Sequence, residues 1–146
     1  MIRGYAIEQV LPHAHPMILL NRFIEAGSDY AICQVDISPL SAFYQPELSA
    51  VPAYVGIEYM AQTIAAYAGA NALQQGGKVQ VGFLLGCRKY SPDVSHFTQG
   101  AVLKVKATKL VMDESGLSVF DCQISIEGQI VVTANLNVFQ PQQSEA

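Results

Sequence analysis

The sequence carries little charge and no concentration of positive charge. Charged residues make up 14% of its 146 residues, and the formal net charge is −4. No basic cluster exceeds the adjacent pair Arg88 and Lys89, whereas surfaces that bind nucleic acids gather Lys and Arg against the phosphates. The composition therefore predicts no nucleic-acid partner.

Long apolar runs are also missing. None approaches the roughly 20 residues that a membrane-spanning helix needs, and the opening residues MIRGYAIEQV lack the apolar centre of a secretory signal. We therefore expect a cytoplasmic protein with no membrane partner. Because Cys33, Cys87 and Cys122 are odd in number and widely spaced, we expect reduced thiols rather than disulfides.

The sequence contains neither a glycine-rich phosphate loop nor a set of metal ligands at a characteristic spacing. His13 and His15 form a His-x-His pair, but two imidazoles without an obvious third ligand are a weak metal signal. We therefore expect neither a metal nor a cofactor.

Hydrophobic residues, at 51% of the chain, are sufficient for a single domain over residues 1–146 with a sizeable core. The stretch from Pro52, PAYVGIEYMAQTIAAYAG, is apolar or small almost throughout and predicts a buried helix that continues to about Leu73. Alternating or apolar runs predict strands within 17–26, 30–37, 79–90, 101–112, 117–126 and 130–139, while residues 5–11 predict a short helix and residues 140–146 a loose tail. A helix that is apolar on nearly all sides must be covered on nearly all sides. The predicted fold is therefore α+β, with a long central helix wrapped by a curved antiparallel sheet.

Glu58 stands out on this helix, since it is the only formal charge between Glu47 and Lys78. Burying a carboxylate is costly unless it is paired or protonated, and perturbed carboxylates of this kind concentrate at functional sites. Tyr54 and Gln62 lie one turn before and one turn after Glu58, on the same face of the helix. We expect Glu58 to be buried and catalytic, and Gln62 to hold a neighbouring group in place. A structural glutamate held by backbone donors or a cation is the alternative.

Three stretches carry recognisable motifs: LPHAHPMILLNR at 11–22, EYMAQ at 58–62, and the pair Val81 and Gly82 followed later by Gly100. Together with Pro52 they resemble the hotdog-fold β-hydroxyacyl-acyl-carrier-protein dehydratases, and the resemblance runs over about residues 11–139. The segments VPAYVGIEYMAQTIAAYAG, GFLLGCRKY and LNVFQP are most similar to the variant (ApeP-like) dehydratases encoded with bacterial aryl-polyene synthesis.

The resemblance implies an activity and a partner. The implied substrate is a 3-hydroxyacyl chain carried by acyl carrier protein, dehydrated to the trans-2-enoyl thioester, in aryl-polyene or fatty-acid-like synthesis. It implies no cofactor beyond the phosphopantetheine arm of the carrier. Glu58 matches the catalytic glutamate of the family. The family's catalytic histidine position is occupied by Tyr44, and no histidine lies between His15 and His96.

Dehydration requires a base at the α-carbon, an acid for the leaving hydroxyl and donors for the thioester oxygen. We assign Glu58 as the acid and His13 as the candidate base, although a loop histidine beside prolines is often only held by hydrogen bonds. The backbone N–H groups of Ala53 and Tyr54 are the predicted oxyanion donors, since N–H groups at a helix start lack intrahelical partners. The Tyr44 phenol is a poor base at neutral pH but a possible hydrogen-bond donor.

Three functional hypotheses stay open from the sequence. The chain is an active dehydratase, a hotdog thioesterase in which the glutamate activates water, or a subunit of low activity that completes a site on a second hotdog chain bearing the histidine. Arg88 and Lys89 either meet the acidic surface of the carrier protein or form a solvated strand end. The apolar run within 79–90 predicts a dimer with two such strands side by side, formed with a copy of the chain or with a related hotdog chain.

Overall fold

A computed structural model describes residues 1–141 of the chain. Within that range the helices are α1 (Ile7–Val10) and α2 (Gly56–Gln74), and a 3₁₀ turn (Ala53–Val55) precedes α2. The strands are β1 (Arg22–Ala26), β2 (Tyr30–Asp36), β3 (Ala50–Pro52), β4 (Phe83–Pro92), β5 (His96–Thr98), β6 (Val102–Met112), β7 (Leu117–Ile126) and β8 (Gln129–Phe139). Residues 142–146, most of the predicted tail, lie outside the described residues.

One antiparallel sheet of six strands, in the order β1-β2-β6-β7-β8-β4, wraps around α2. Its inner rows are apolar and its outer rows polar, as alternation along a strand requires. On β6, for example, Leu103, Val105 and Ala107 are fully buried, whereas Lys104 is exposed. The predicted α+β hotdog fold is confirmed.

Helix α2 begins later than predicted. Pro52 ends β3, and the chain makes a 3₁₀ turn before the α-helix begins at Gly56. Two contacts hold that turn: the Ala53 N–H donates to the Ser95 carbonyl at 3.1 Å, and the Tyr90 hydroxyl donates to the Ala53 carbonyl. Gly56 leaves room for Tyr90, since a Cβ there would collide with its hydroxyl. The helix ends at Gln74, close to the predicted end at about Leu73, and Gly76 follows with a φ of +81°.

The core lies between α2 and the inner face of the sheet. From the helix it receives mainly Tyr59, Met60, Ile64, Tyr67 and Ala70, all buried. The short helix α1 covers the opposite side of α2 and approaches its backbone at Gly69, where a Cβ would collide with the Val10 carbonyl. These contacts bring the loop after α1 onto the first half of α2.

The strand predictions hold for most of the sheet and fail in three places. Residues 17–21 precede β1 rather than belong to it, and the strand expected from residue 79 begins at Phe83. The pairing of β3 with β5 in a small separate sheet was not predicted, because residues 38–51 and 92–100 show no periodicity. Cys33 and Cys122 are buried and Cys87 is half-buried, and all three are free thiols. No helix within residues 1–141 is long and apolar enough to span a membrane.

Candidate active site

Small side chains on one face of α2 leave a cavity of about 310 Å³ between the helix and the sheet. Ala61, Ala65 and Ala68 form the helix side of this cavity, and their spacing puts one methyl group on each turn. Most of the opposite wall is apolar and comes from the sheet and the segment before β4: Val81, Phe83, Leu84, Met112, Phe120, Val138 and Phe139. Its volume and lining are those of a small-molecule site.

Glu58 lies at one end of this cavity, on the first turns of α2. The expectation that it is buried is wrong: Glu58 is exposed within this chain, whereas the adjacent Tyr59 and Met60 are buried. The sheet covers the side of the helix that carries Tyr59 and Met60, and the face of Glu58 opens towards the cavity and solvent. The carboxylate therefore needs no buried cation to stabilise it.

Gln62, one turn further along, links Glu58 to the loop that follows α1. Its Nε2 donates to Glu58 Oε1 at 3.1 Å and to the Met17 carbonyl at 2.8 Å. Its Oε1 accepts from the Leu19 N–H at 2.9 Å. Because Gln62 is only 1% exposed, these bonds are shielded from water and fix the position of residues 12–20 against the helix.

His13 lies in this anchored loop and lines the same cavity as Glu58. Its Nδ1 is buried, and no group within residues 1–141 forms a hydrogen bond to it. His15 lies apart, exposed, with its Nε2 3.5 Å from Glu8 Oε1. The His-x-His pair is therefore divided, and among the described residues no group of three His, Cys, Asp or Glu side chains is placed to hold a metal ion.

One of the two predicted oxyanion donors, Ala53, does not have a free N–H. The Ala53 N–H donates to the Ser95 carbonyl, so the premise that it is unpaired is wrong. The reason is that Ala53 opens a 3₁₀ turn packed against the residues before β5, rather than a free helix end. Tyr54 follows in the same turn, and its side chain is 64% exposed and does not belong to the cavity wall.

Three other residues that the sequence singled out do not line the cavity: Tyr44, Arg88 and Lys89. The half-buried Tyr44 donates from its hydroxyl to Gln99 Oε1 at 2.8 Å, so this chain does not bring it to Glu58. Arg88 and Lys89 are exposed on β4. Lys89 has a φ of +54° where the β4–β8 pairing shifts register.

Sequence reasoning missed Tyr90, which supports the start of α2. Burial raises the pKa of the Tyr90 phenol to about 12, so it stays protonated and donates to the Ala53 carbonyl. The only sequence signal was an aromatic residue at the end of the predicted strand 79–90. Lys109 and Ser118, which also line the cavity, were missed as well.

The family model of the ApeP-like proteins, described as ApeP dehydratase, matches residues 5–146. The chain belongs to this dehydratase family. The resemblance seen in the motifs is thereby confirmed, and so is the assignment of the chain to the dehydratases.

One solved structure and two curated relatives that resemble this ApeP-like chain agree with that assignment. The dehydratase heterocomplex ApeI:P from Xenorhabdus doucetiae contains a chain with 32% identity and a TM-score of 0.88, covering 97% of this chain and 94% of that one. The 3-hydroxyacyl-[acyl-carrier-protein] dehydratase FabZ of Pseudothermotoga lettingae is 30% identical over 90% of this chain and 91% of its own length. FabZ of Acinetobacter baylyi is 26% identical, with 90% of each chain covered.

Proposed function

We propose that this chain dehydrates a 3-hydroxyacyl group carried as a thioester on acyl carrier protein, with Glu58 as the acid and His13 as the base. One observation carries the assignment of residues: Glu58 and His13 line the same cavity, and the buried Nδ1 of His13 has no hydrogen-bond partner within residues 1–141. The substrate class is supported by the names of the two FabZ relatives, which act on 3-hydroxyacyl chains on the carrier protein.

In this proposal the acyl chain occupies the cavity beside α2, and its 3-hydroxyl group points towards Glu58. His13 takes the proton from C2, the electron pair forms the C2–C3 double bond, and the hydroxyl leaves C3 as water with the proton from Glu58. Gln62 is a positioning residue, because its amide holds both the Glu58 carboxylate and the loop that bears His13. Of the two predicted oxyanion donors, the N–H of Tyr54 is the one we retain for the thioester oxygen.

We also propose that the chain works together with a related hotdog chain that docks along β4. The ApeI:P neighbour is itself a heterocomplex. The two edge strands of the sheet, β1 and β4, differ in a way that favours docking along β4. At the β1 edge, Ile2 already forms a backbone bridge to Ala26. Strand β4 is the other edge, and its Phe83, Leu84 and Leu85 are 53%, 41% and 59% exposed, so it presents unpaired backbone beside apolar side chains.

A second version of the mechanism takes the base from that partner. Tyr44 holds the position of the family's histidine and contacts Gln99 rather than Glu58. This arrangement favours a chain that supplies Glu58 to a shared site. In that case a histidine of the partner completes the acid–base pair.

The experiment is to measure enoyl product from a 3-hydroxyacyl carrier protein, first with this chain alone and then with a histidine-bearing hotdog partner. Product from the chain alone supports His13 as the base, and product only from the mixture supports the shared site. No enoyl product in either condition overturns the dehydratase assignment. Release of free thiol without enoyl product identifies a thioesterase instead.

The docking surface has its own test, which is Leu85→Arg. A charge at the centre of the apolar edge should prevent docking, because a partner strand would bury it without a counter-charge. Sedimentation of the mixture should then show separate chains, while Ile2→Arg on the bridged edge should leave the complex intact. A complex that persists in Leu85→Arg would exclude β4 as the interface.

A further inference from the structure

The far end of the cavity differs in chemistry from its middle. On β6 the inward-facing row runs through Leu103, Val105 and Ala107, all fully buried, and its next member is Lys109. On β7 the inward row is Phe120, Cys122 and Ile124, and the preceding member is Ser118. Two polar side chains therefore stand at positions where the sheet otherwise contributes apolar groups to the core.

These two side chains are neighbours in the cavity lining, because Lys109 pairs with Phe120 across β6 and β7 and Ser118 is the inward-facing residue that precedes Phe120. The Nζ of Lys109 lies 5.4 Å from the centroid of the Tyr67 ring, and the same ring packs edge-on against Phe120 at 5.5 Å. Tyr67 is nine residues beyond Glu58 on α2, which is about 14 Å along the helix axis. The polar end is thus about two and a half helical turns from the proposed reacting end.

Neither polar group has a side-chain hydrogen bond or an ionic partner among residues 1–141, and the only partner of the Lys109 ammonium there is the Tyr67 ring. Ser118 is 8% exposed, and among residues 1–141 its hydroxyl takes part in no side-chain hydrogen bond. Neither of the two ion pairs found within the same range involves Lys109. A hydroxyl and an ammonium that line a cavity without an oxygen acceptor are less favourable beside an alkyl chain than beside an oxygen atom that accepts their hydrogen bonds.

We infer that Lys109 and Ser118 select acyl chains that carry an oxygen acceptor, such as a hydroxyl group, at the end remote from the thioester. This inference rests on the proposed function, because it assigns the acyl group to the cavity beside α2. Lys109 donates to the remote oxygen and Ser118 exchanges a hydrogen bond with it. A plain alkyl chain of the same length offers neither group an oxygen acceptor and is disfavoured.

The test compares two 3-hydroxyacyl pantetheine thioesters of equal length, one with a terminal hydroxyl group and one with a terminal methyl group. The ratio of kcat/KM for the two is measured on the complex of this chain with its hotdog partner. The wild-type ratio should favour the hydroxylated chain by about tenfold, the effect of one hydrogen bond to a charged group. Lys109→Met and Ser118→Ala should each reduce the ratio, and Lys109→Arg should retain it.

A matched control is available on the same strand. Lys106 also lies 5.4 Å from a tyrosine ring, that of Tyr30, but it belongs to the outer face of β6. Lys106→Met makes the same chemical change and should leave the ratio at its wild-type value. Equal turnover of both thioesters by the wild type, or an unchanged ratio in Lys109→Met and Ser118→Ala, would overturn the inference.

Binding separates this inference from the proposed activity. Calorimetry with the two thioesters and the Glu58→Gln complex measures selection without turnover. If the wild type forms no product but the hydroxylated chain binds more tightly in a Lys109-dependent manner, the dehydratase proposal fails and the inference stands. If product forms from both chains and binding shows no preference, the inference fails and the dehydratase proposal stands.

Discussion

Two loops each carry a side chain that the sequence singled out, His13 in one and Tyr44 in the other, and the two loops are held in different ways. The loop at residues 12–21 is tied to the helix through the Gln62 amide, and His13 lines the cavity. The loop at residues 38–49 is held mainly by its own turns and by the bond from Tyr44 to Gln99. The helix therefore offers a buried anchor to one loop only, and that loop is the one whose histidine reaches the site within this chain.

Glu58→Gln should have the largest effect on activity, because it removes the proposed acid that acts together with His13 of the first loop. We expect a decrease of about 10²–10⁴-fold in the rate of enoyl formation. The melting temperature should not change, because Glu58 is exposed. Glu47→Gln alters an exposed carboxylate of the second loop and should leave the rate unchanged. Full activity of Glu58→Gln, with and without a partner chain, would remove Glu58 from the site.

His13→Ala should have the next largest effect on the chain assayed alone, a decrease on the order of 100-fold if His13 is the base. His15→Ala is the matched control, since His15 lies in the same loop but away from the cavity. If the partner supplies the base, His13→Ala should reduce the rate of the mixed complex only slightly. Equal activities of the two variants in the chain alone would show that the anchored loop contributes no base.

Gln62→Leu tests the anchor itself. The Leu19 N–H and the Met17 carbonyl would lose their hydrogen bonds to the Gln62 amide, each worth about 0.5–1.5 kcal/mol. We expect a lower free energy of unfolding in urea together with a reduced rate, whereas Gln74→Leu, at an exposed position of α2, should change neither. A destabilised Gln62→Leu protein with full activity would mean that the loop position does not matter for the reaction.

The smallest effect should come from Tyr44→Phe. It removes the hydrogen bond to Gln99, worth about 0.5–1.5 kcal/mol, and should leave the rate of the chain alone unchanged. Urea denaturation and the enoyl assay measure the two quantities. A loss of activity comparable to that of Glu58→Gln would show that Tyr44, and with it the loop at residues 38–49, belongs to the site.

The fold was largely predictable because its signals are periodic. Alternation along 30–37 and 101–112 located β2 and β6, and the uniformly apolar stretch after Pro52 identified α2. The start of α2 was not predictable, because Pro52 suits both a first helical turn and the end of an edge strand. The pairing of β3 with β5 decided between them, and that pairing joins segments more than 40 residues apart.

The candidate site was predictable in its residue types and less so in its environment. The motif and the helical spacing identified Glu58 and Gln62, and the loop motif identified His13. The exposure of Glu58 depends on how far the sheet wraps around α2, which no local pattern encodes. Ala53 was misjudged for the same reason, since its N–H is satisfied by Ser95, a residue distant in sequence.

The alanines that line the cavity also have a consequence for how such enzymes diverge. Ala61, Ala65 and Ala68 give one methyl group per helical turn along the cavity wall. With the acyl chain in this cavity, as proposed, each of them lies at a different distance from Glu58 along the chain. Leu and Met are nearly as favourable as Ala in a helix. A single codon change at one of these positions can therefore shorten the accepted chain by about one turn, roughly 5 Å, without disturbing the helix that carries the acid.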